Sequence, residues 1–537
     1  MPAKFVVVLG SLMSGLGKGI VTSSVLKILD FYGYDALPIK FDGYLNYDCG
    51  TMNPYRHGEV FVLDDKSEVD MDFGMYQRFI NKNLSGDLSI TGGKIFSHII
   101  NKERQGDYLG EDVQIIPHLT NEIIARVKGI AQNKKVDVLV IEVGGTIGDI
   151  ENSYFVEAMR QLSLQEKVVF INLTYVPKIN VVGEQKTKPA QLGFRLLMQN
   201  GIKPDFIVCR LNDPLDEKTK EKLSMFTNTK INRIIDDSDA YSIYQMPLHF
   251  IDQGFDKELI SELGLNGNTL DVKKFNEWKN AVNRITDPRH TANIAIVGKY
   301  TELRDSYVSV KESVVHAGAA ADTKVNITWV ESSDLEKPGE LKRLEAMDGI
   351  IVPGGFGKRG IEGMVNAIQY AREHKVPYLG LCLGMQLMAV EFARNVCGLQ
   401  GANSTEFDKD AKEKVIYLLP SQKGVRKKGG TMRLGAWKCK LPDKDTIAYK
   451  SYGRPLIEER HRHRYEFNNK YLDIVKQNGL KISGVTADGS LVEFIEWGHG
   501  FGIGTQAHPE LKSTLAEPAP LFVSFIEAAK KLSEKRT

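Results

Sequence analysis

The chain has 537 residues, a formal net charge of +2 and 42% hydrophobic residues, enough for two or three domains with complete cores. It contains no run of about twenty apolar residues, so no membrane-spanning helix is expected, and the apolar run Phe5–Leu9 is too short for a secretory signal. Cys49, Cys209, Cys382, Cys397 and Cys439 form no CxxC pair; an odd, scattered set suits a reducing cytoplasm and offers no zinc site. Neither a nucleic-acid nor a membrane partner is expected.

In chain order, a buried-strand pattern over Lys4–Gly10 leads into the loop Gly10-Ser11-Leu12-Met13-Ser14-Gly15-Leu16-Gly17-Lys18-Gly19 and a helix starting near Gly17. A strand, then glycines and a lysine at a helix start, is suited to phosphates: backbone N–H groups form the cradle and Lys18 neutralises transferring charge. The loop departs from the strict Walker A pattern, with Leu12 at the first glycine position and Gly19 in place of the Ser/Thr that meets Mg2+. A bound Mg-ATP therefore needs carboxylates from elsewhere, and Asp72 and Glu142 are the candidates. Glu142 ends an apolar run, at the edge where ligands meet parallel sheets. Further apolar runs at Ala36–Lys40, Val136–Val143, Val168–Tyr175 and Phe206–Cys209, with helical patterns between them, predict a parallel α/β sheet. Gly183–Gln191 places two lysines and a threonine before a helix, a second signal for phosphates beside the plainer reading of a solvated basic loop.

Residues 267–292 are polar and include Asp287-Pro288-Arg289, so they read as a linker between a first domain, 1–266, and a second, 293–537. The second domain opens another α/β series at Asn293–Gly298 and ends in an amphipathic helix near Leu521–Leu532. Within it, an apolar strand at 349–351 runs into Val352-Pro353-Gly354-Gly355-Phe356-Gly357. Gly380-Leu381-Cys382-Leu383-Gly384 then has the pattern of a nucleophile elbow: a sharp strand-to-helix turn lifts a side chain above the sheet, and flanking glycines permit the crowded backbone. The helix N-terminus behind Cys382 favours the thiolate, and its free N–H groups can hold an oxyanion. Ala507-His508-Pro509-Glu510 offers a base and a carboxylate to complete a Cys–His–Glu triad. Lys423–Lys428 reads as a solvated basic loop. His461 and His463 have no partners at metal-ligand spacing.

G-L-C-L-G-M-Q at 380–386 with Q-A-H-P-E at 506–510 resembles the class I glutamine amidotransferases, and nearly the whole chain resembles the CTP synthase family. The motifs that carry the wider likeness are S-x-L-G-K-G near the start, G-T-M-N-P at 50–54, H-G-E-V-F at 57–61 and K-E-R-x-G-D-Y-L-G at 102–110. Q-x-I-P-H at 114–118, E-V-G-G-T-I-G-D-I-E at 142–151, K-T-K-P-A-Q at 186–191, A-N-S-T-E-F at 402–407, G-G-T-M-R-L-G at 429–435 and R-H-R-H-R-Y-E at 460–466 continue it. Three positions depart from the family's commonest wording: Gly15 for serine, Gly43 for proline and Ala190 for threonine. The implied fold is α/β throughout, a P-loop-like parallel-sheet amidoligase domain plus an α/β class I glutaminase domain.

The resemblance implies conversion of UTP to CTP, with ATP phosphorylating the uracil O4 and ammonia from glutamine displacing the phosphate. It assigns Lys18 and Lys40 to phosphoryl transfer and Gly15, Leu16, Gly17, Lys18, Gly19 and Ile20 to the ATP loop. Asp72 and Glu142 become Mg2+ ligands, and Ser238, Asp239 and Ala240 adenine contacts. Ser14, Lys186, Thr187, Lys188, Pro189, Ala190, Gln191 and Lys222 fall at the pyrimidine nucleotide's triphosphate. Asp149, Ile150 and Glu151 fall at the cytosine of the feedback inhibitor CTP. In the glutaminase half, Cys382 attacks glutamine, His508 moves protons and Glu510 orients His508. Gly355 lies at the oxyanion strand, Leu383, Gly384, Met385 and Gln386 at the glutamine site, Glu406 at its ammonium group and Arg464 at its carboxylate. An ammonia tunnel near His57, activation by GTP near Phe356, Arg359 and Glu103, and a homotetramer complete what the family implies. Two other readings stand against it. A synthetase working through an acyl phosphate, such as a cobyrinate amidating enzyme, has no use for K-T-K-P-A-Q and D-I-E. A purely structural filament protein has no use for an intact triad.

Overall fold

The computed structural model describes residues 2–179, 183–419, 422, 424 and 429–536. Within the basic segment 423–428 only residue 424 falls among them, so that reading lies almost wholly outside the described residues. The chain divides into two compact units, Met1–Asp48 with Met75–Val282, and Cys49–Gly74 with Asn283–Thr537.

The first unit is built on β1 (Lys4–Gly10), α1 (Lys18–Phe31), β2 (Ala36–Asp42), β3 (Ser89–Thr91), β4 (Val138–Val143), β5 (Val168–Tyr175), β6 (Phe206–Leu211) and β7 (Ile234–Ser238). The strands form one sheet in the order β7-β6-β5-β1-β4-β2-β3, every pair parallel. Their near-continuous apolar runs follow from burial on both faces, as parallel strands require; all six residues of β4 are buried, Glu142 among them. The C-terminal ends of β1 and β4 lie side by side at the centre of the sheet, and there the loop after Gly10 and the segment after Val143 emerge. Residues 272–286, inside the stretch read as a linker, form a helix. Its Trp278 is buried, donates Nε1–H to the Tyr244 carbonyl at 3.0 Å and meets Phe31 edge-on.

The second unit contains β8 (His290–Gly298), β9 (Thr323–Glu331), β10 (Gly349–Val352), β11 (Tyr378–Leu381), α2 (Leu383–Asn395), β12 (Arg433–Lys440), β13 (Leu456–His463), β14 (Lys481–Thr486), β15 (Val492–Glu496) and β16 (Gly502–Thr505). The sheet order is β9-β8-β10-β11-β16-β15-β14-β12-β13. It is parallel from β9 to β16 and antiparallel from β16 to β13. Residues 49–74 pack here through β13: Arg460 Nε reaches Asp64 Oδ1 at 2.6 Å and Arg462 Nε reaches Glu68 Oε1 at 2.9 Å. Period-two alternation along β13 sends Arg460 and Arg462 to that segment and His461 and His463 to the opposite face.

The turn from β11 into α2 requires close backbone approach. A Cβ at Gly384 would lie 2.1 Å from the Val352 carbonyl oxygen of β10. Gly384→Ala is therefore expected to destabilise the second unit by about 1–3 kcal/mol or more, the range for overpacking against an unyielding neighbour. A urea unfolding curve checks this, and an unshifted midpoint contradicts it.

Candidate active sites

Two sets of chemistry-bearing side chains are assembled, one in each unit. In the second unit Cys382 joins β11 to α2 with φ 49° and ψ −97°, a conformation that L-residues rarely adopt and that tight packing sustains. Its N–H donates to the Thr505 carbonyl of β16 at 2.7 Å. The thiol is 5% exposed and faces a cavity of about 80 Å³ lined also by Gly354, His508, Glu59, Val60 and Arg462. His508 Nδ1 and Glu510 Oε1 are 2.7 Å apart, and the His508 N–H donates to the Arg460 carbonyl at 2.7 Å. Burial alone would lower the His508 pKa, yet the Glu510 carboxylate and the Cys382 sulfur raise it well above the ordinary imidazole range. That environment favours the imidazolium form of His508 beside the Cys382 sulfur. Gly354 rather than Gly355 is the glycine that His508 needs, because a Cβ there would meet His508 Cε1 at 2.9 Å. At Gly355 the nearest atoms to a Cβ, at 3.5 Å, are in ordinary contact.

Around this centre, Glu406 accepts from the Gly357 N–H at 2.8 Å, and burial raises its carboxyl above the usual range. Arg464 donates to Gln422 Oε1 at 2.5 Å and Thr431 Oγ1 at 3.2 Å. Leu383, Gly384, Met385 and Gln386 open α2 and are all buried. Three features escape the sequence reading. Lys299 is 1% exposed, its ammonium donates to the carbonyls of Phe356 and Gly357, and burial pushes its pKa down to about 8; a lysine straight after the β8 run was the available signal. Arg433 bridges Glu466 at 3.2 Å and Glu493 at 2.5 Å, and Glu493 meets His461 Nε2 at 2.7 Å, all in the buried interior. Burial pushes the Glu466 carboxyl up to about 8, while Glu493 is held below its ordinary range by His461 and Arg433 despite its burial. Gln506 donates to the Cys382 sulfur.

In the first unit Lys18 starts α1 and its ammonium donates to the Gly145 carbonyl at 2.6 Å. Gly15 and Gly17 in the loop before it have φ of 76° and 98°. Lys40 of β2 and Glu142 of β4 face each other across the sheet and pair at 2.7 Å, while Tyr76 donates to the other Glu142 oxygen at 2.5 Å. Asp149 accepts from the Thr146 N–H and hydroxyl at 2.8 and 2.7 Å, and Ile150 and Glu151 are exposed. Gly43 packs against this segment, since a Cβ there would lie 2.4 Å from the Glu151 carbonyl oxygen. Thr187 and Gln191 are buried, Gln191 Nε2 donating to Thr187 Oγ1 at 3.0 Å. Lys186 pairs with Glu184 at 2.7 Å, and Lys222 lies on the helix 217–227. Ser238 ends β7, and Asp239 is bound by Arg210 and, at 3.0 Å, by Asn212. Asp72 belongs to the second unit, where its N–H donates to Asp70 Oδ1 at 2.9 Å.

Two family models match the chain, the CTP synthase N-terminus over residues 4–265 and glutamine amidotransferase class-I over 302–528. A CTP synthase of Caldanaerobacter subterraneus subsp. tengcongensis is 49% identical over 530 residues, covering 98% of both chains. A CTP synthase of Thermococcus kodakarensis is 48% identical over 533 residues, covering 98% of this chain and 99% of that one. The glutaminase domain of Trypanosoma brucei CTPS, solved with bound acivicin, is 40% identical, covers 45% of this chain and 94% of its own, and superposes with a TM-score of 0.42.

Replacing Arg433 by Met is expected to cost about 3–5 kcal/mol, because it leaves Glu493 charged and short of a partner in the interior. Chemical denaturation near pH 7 reads the loss; a change below about 1 kcal/mol would show the network to be dispensable.

Proposed function

The chain belongs to the CTP synthase family, and on that premise we propose how its residues divide the work of a glutamine-hydrolysing ligase. The observation that carries the assignment is the Cys382–His508–Glu510 constellation in one unit, with a lysine-bearing phosphate loop beside a buried carboxylate in the other. Cys382 attacks the glutamine carboxamide as thiolate. N–H groups of the glycine strand around Gly355 and of the α2 N-terminus hold the oxyanion. His508 passes a proton to the departing ammonia and then activates the water that cleaves the thioester, with Glu510 holding its tautomer and its charge. Glu406 receives the ammonium group of glutamine, Arg464 its carboxylate, and Leu383 to Gln386 wall the side chain.

In the other unit ATP phosphorylates O4 of UTP, turning a poor leaving group into a good one, and ammonia displaces the phosphate. Lys18 and the loop 15–20 hold the ATP phosphates, and Ser238 to Ala240 receive the adenine. Ser14, Lys186 to Gln191 and Lys222 hold the pyrimidine triphosphate. The Lys40–Glu142 pair already neutralises two buried charges, so a nucleotide exchanges partners with it rather than meeting bare charges. The carboxylate of Glu142, a hard oxygen donor at the end of a central strand, suits Mg2+ when nucleotide phosphates supply the remaining ligands. Glu142 would hold the ion in this unit, and the ion would supply charge neutralisation to the phosphoryl group.

The finer reading adds GTP as activator near Phe356 and Arg359, CTP as product inhibitor at Asp149 to Glu151, and a homotetramer. Ammonia leaves Cys382 by way of the cavity lined by Glu59 and Val60, which follow His57 closely in the chain. The scattered, unpaired cysteines suit a cytoplasmic enzyme; no helix among the described residues is long and apolar enough to cross a membrane.

Cys382→Ala should abolish glutamine-dependent CTP formation while ammonia-dependent formation continues near the wild-type rate. Parallel assays with the two nitrogen donors decide this; retained glutamine-dependent turnover would refute the thiol assignment. Glu151→Ala should weaken CTP inhibition about tenfold, because an acceptor for the cytosine amino group that the bound nucleotide shields from water is worth roughly 1–3 kcal/mol. The Michaelis constant for UTP should stay within about twofold. If the inhibition constant and that Michaelis constant rise together, the two bases share one pocket.

A further inference from the structure

We propose that Gln506 is a further catalytic residue of the thiol site, its side-chain amide donating to the Cys382 sulfur and holding negative charge there. The proposal rests on the triad reading above. Gln506 is completely buried, and its Nε2 lies 3.5 Å from Cys382 Sγ, a normal length for an N–H···S contact. The direction of the amide follows from a chain of partners. The Tyr465 carbonyl can only accept, so the Gln386 group 3.0 Å from it is the NH2. That same Gln386 NH2 lies 3.2 Å from Gln506, so Gln506 must turn its oxygen toward Gln386. The only group left to face the sulfur is the Gln506 NH2, a donor.

The backbone fixes the residue as firmly. The Gln506 N–H donates to the Glu493 carbonyl at 2.9 Å, just beyond β16, whose last residue holds the Cys382 N–H. His508 stands two residues further along, so one short segment delivers both the general base and the thiolate donor. A donor aimed at sulfur stabilises the thiolate over the thiol. The other ionisable groups around the sulfur are His508 with Glu510 behind it, His463 against His508, and Arg462 and Glu59 along the cavity. Among these, His508 is the group whose charge is coupled to the sulfur, so Gln506, through its direct contact, supplies a second, uncharged contribution that persists when His508 gives up its proton.

The test is the pH dependence of Cys382 alkylation by iodoacetamide in the full-length protein, read by mass spectrometry of the Cys382 peptide. Circular dichroism melting is run on each sample. In Q506M the rate at pH 7 should fall about tenfold and converge with wild type at high pH, where the thiolate is fully formed in both. Q506E keeps an acceptor for Gln386 and so preserves that packing contact, while presenting a carboxylate to the sulfur; its rate at pH 7 should fall further. A folded Q506M or Q506E whose profile superimposes on wild type overturns the proposal. So does a uniform slowing at every pH, which would mean lost access rather than lost charge stabilisation. A Q506M profile displaced toward lower pH would also overturn it, since the amide would then be accepting from the thiol. If wild-type Cys382 itself titrates like a free thiol, the triad reading fails, an outcome separate from an altered wild-type profile that Gln506 variants leave in place.

Discussion

The turn at Cys382 is the constraint on which the glutaminase unit depends. A non-glycine residue at φ 49° is held only because strands on both sides and a helix behind it leave the backbone no alternative. Gly384 lets α2 press against the β10 carbonyls, and the Thr505 carbonyl of β16 anchors the Cys382 N–H. The same β16 runs on into Gln506, His508 and Glu510, so the strand that fixes the nucleophile also delivers its base. The sheet order β10-β11-β16 thus does the positioning that a sequence gap of 126 residues between Cys382 and His508 conceals.

A second layer of order lies behind the site, in β13. This strand separates two kinds of charge by its alternation. Arg460 and Arg462 pair with Asp64 and Glu68 of a segment that comes from the early part of the chain. On its other face His461 joins Glu493 and Arg433 in a buried network. Backbone groups of the same strand touch the triad: the Arg460 carbonyl accepts from His508 N–H at 2.7 Å, and the Arg462 carbonyl lies 3.9 Å from the Cys382 sulfur. Displacement of residues 49–74 would therefore be felt at the catalytic backbone through ion pairs that are costly to break once desolvated.

What was legible in the sequence had a local cause. The strand-glycine-helix patterns at 4–19 and 378–395 follow from periodicity and from residues tolerant of tight turns, and both appear as expected. The Cys382, His508 and Glu510 side chains come together because an elbow and a two-residue His–Glu spacing each impose their own geometry. What was not legible had long-range causes. Nothing local links Asp64 and Glu68 to arginines nearly 400 positions later, so the grouping of 49–74 with the second unit could not be read from patterning. Lys299 and Gln506 act through burial, which a polar residue on a strand end does not announce. The helix at 272–286 was hidden by its charged face, although Phe275, Trp278, Ala281 and Val282 carry helical spacing. Gly43, a departure from the family wording, is explained by the Glu151 backbone that packs against it.

The central claim is that nitrogen released at Cys382 ends on a pyrimidine activated in the other unit. The most direct measurement supplies glutamine labelled with 15N in the amide, together with UTP and ATP, and follows CTP by mass spectrometry and ADP and glutamate by enzymatic assay. The account predicts one 15N-labelled CTP for each ADP formed, with glutamate released in step. Glutamate and ADP produced without label in CTP would contradict it.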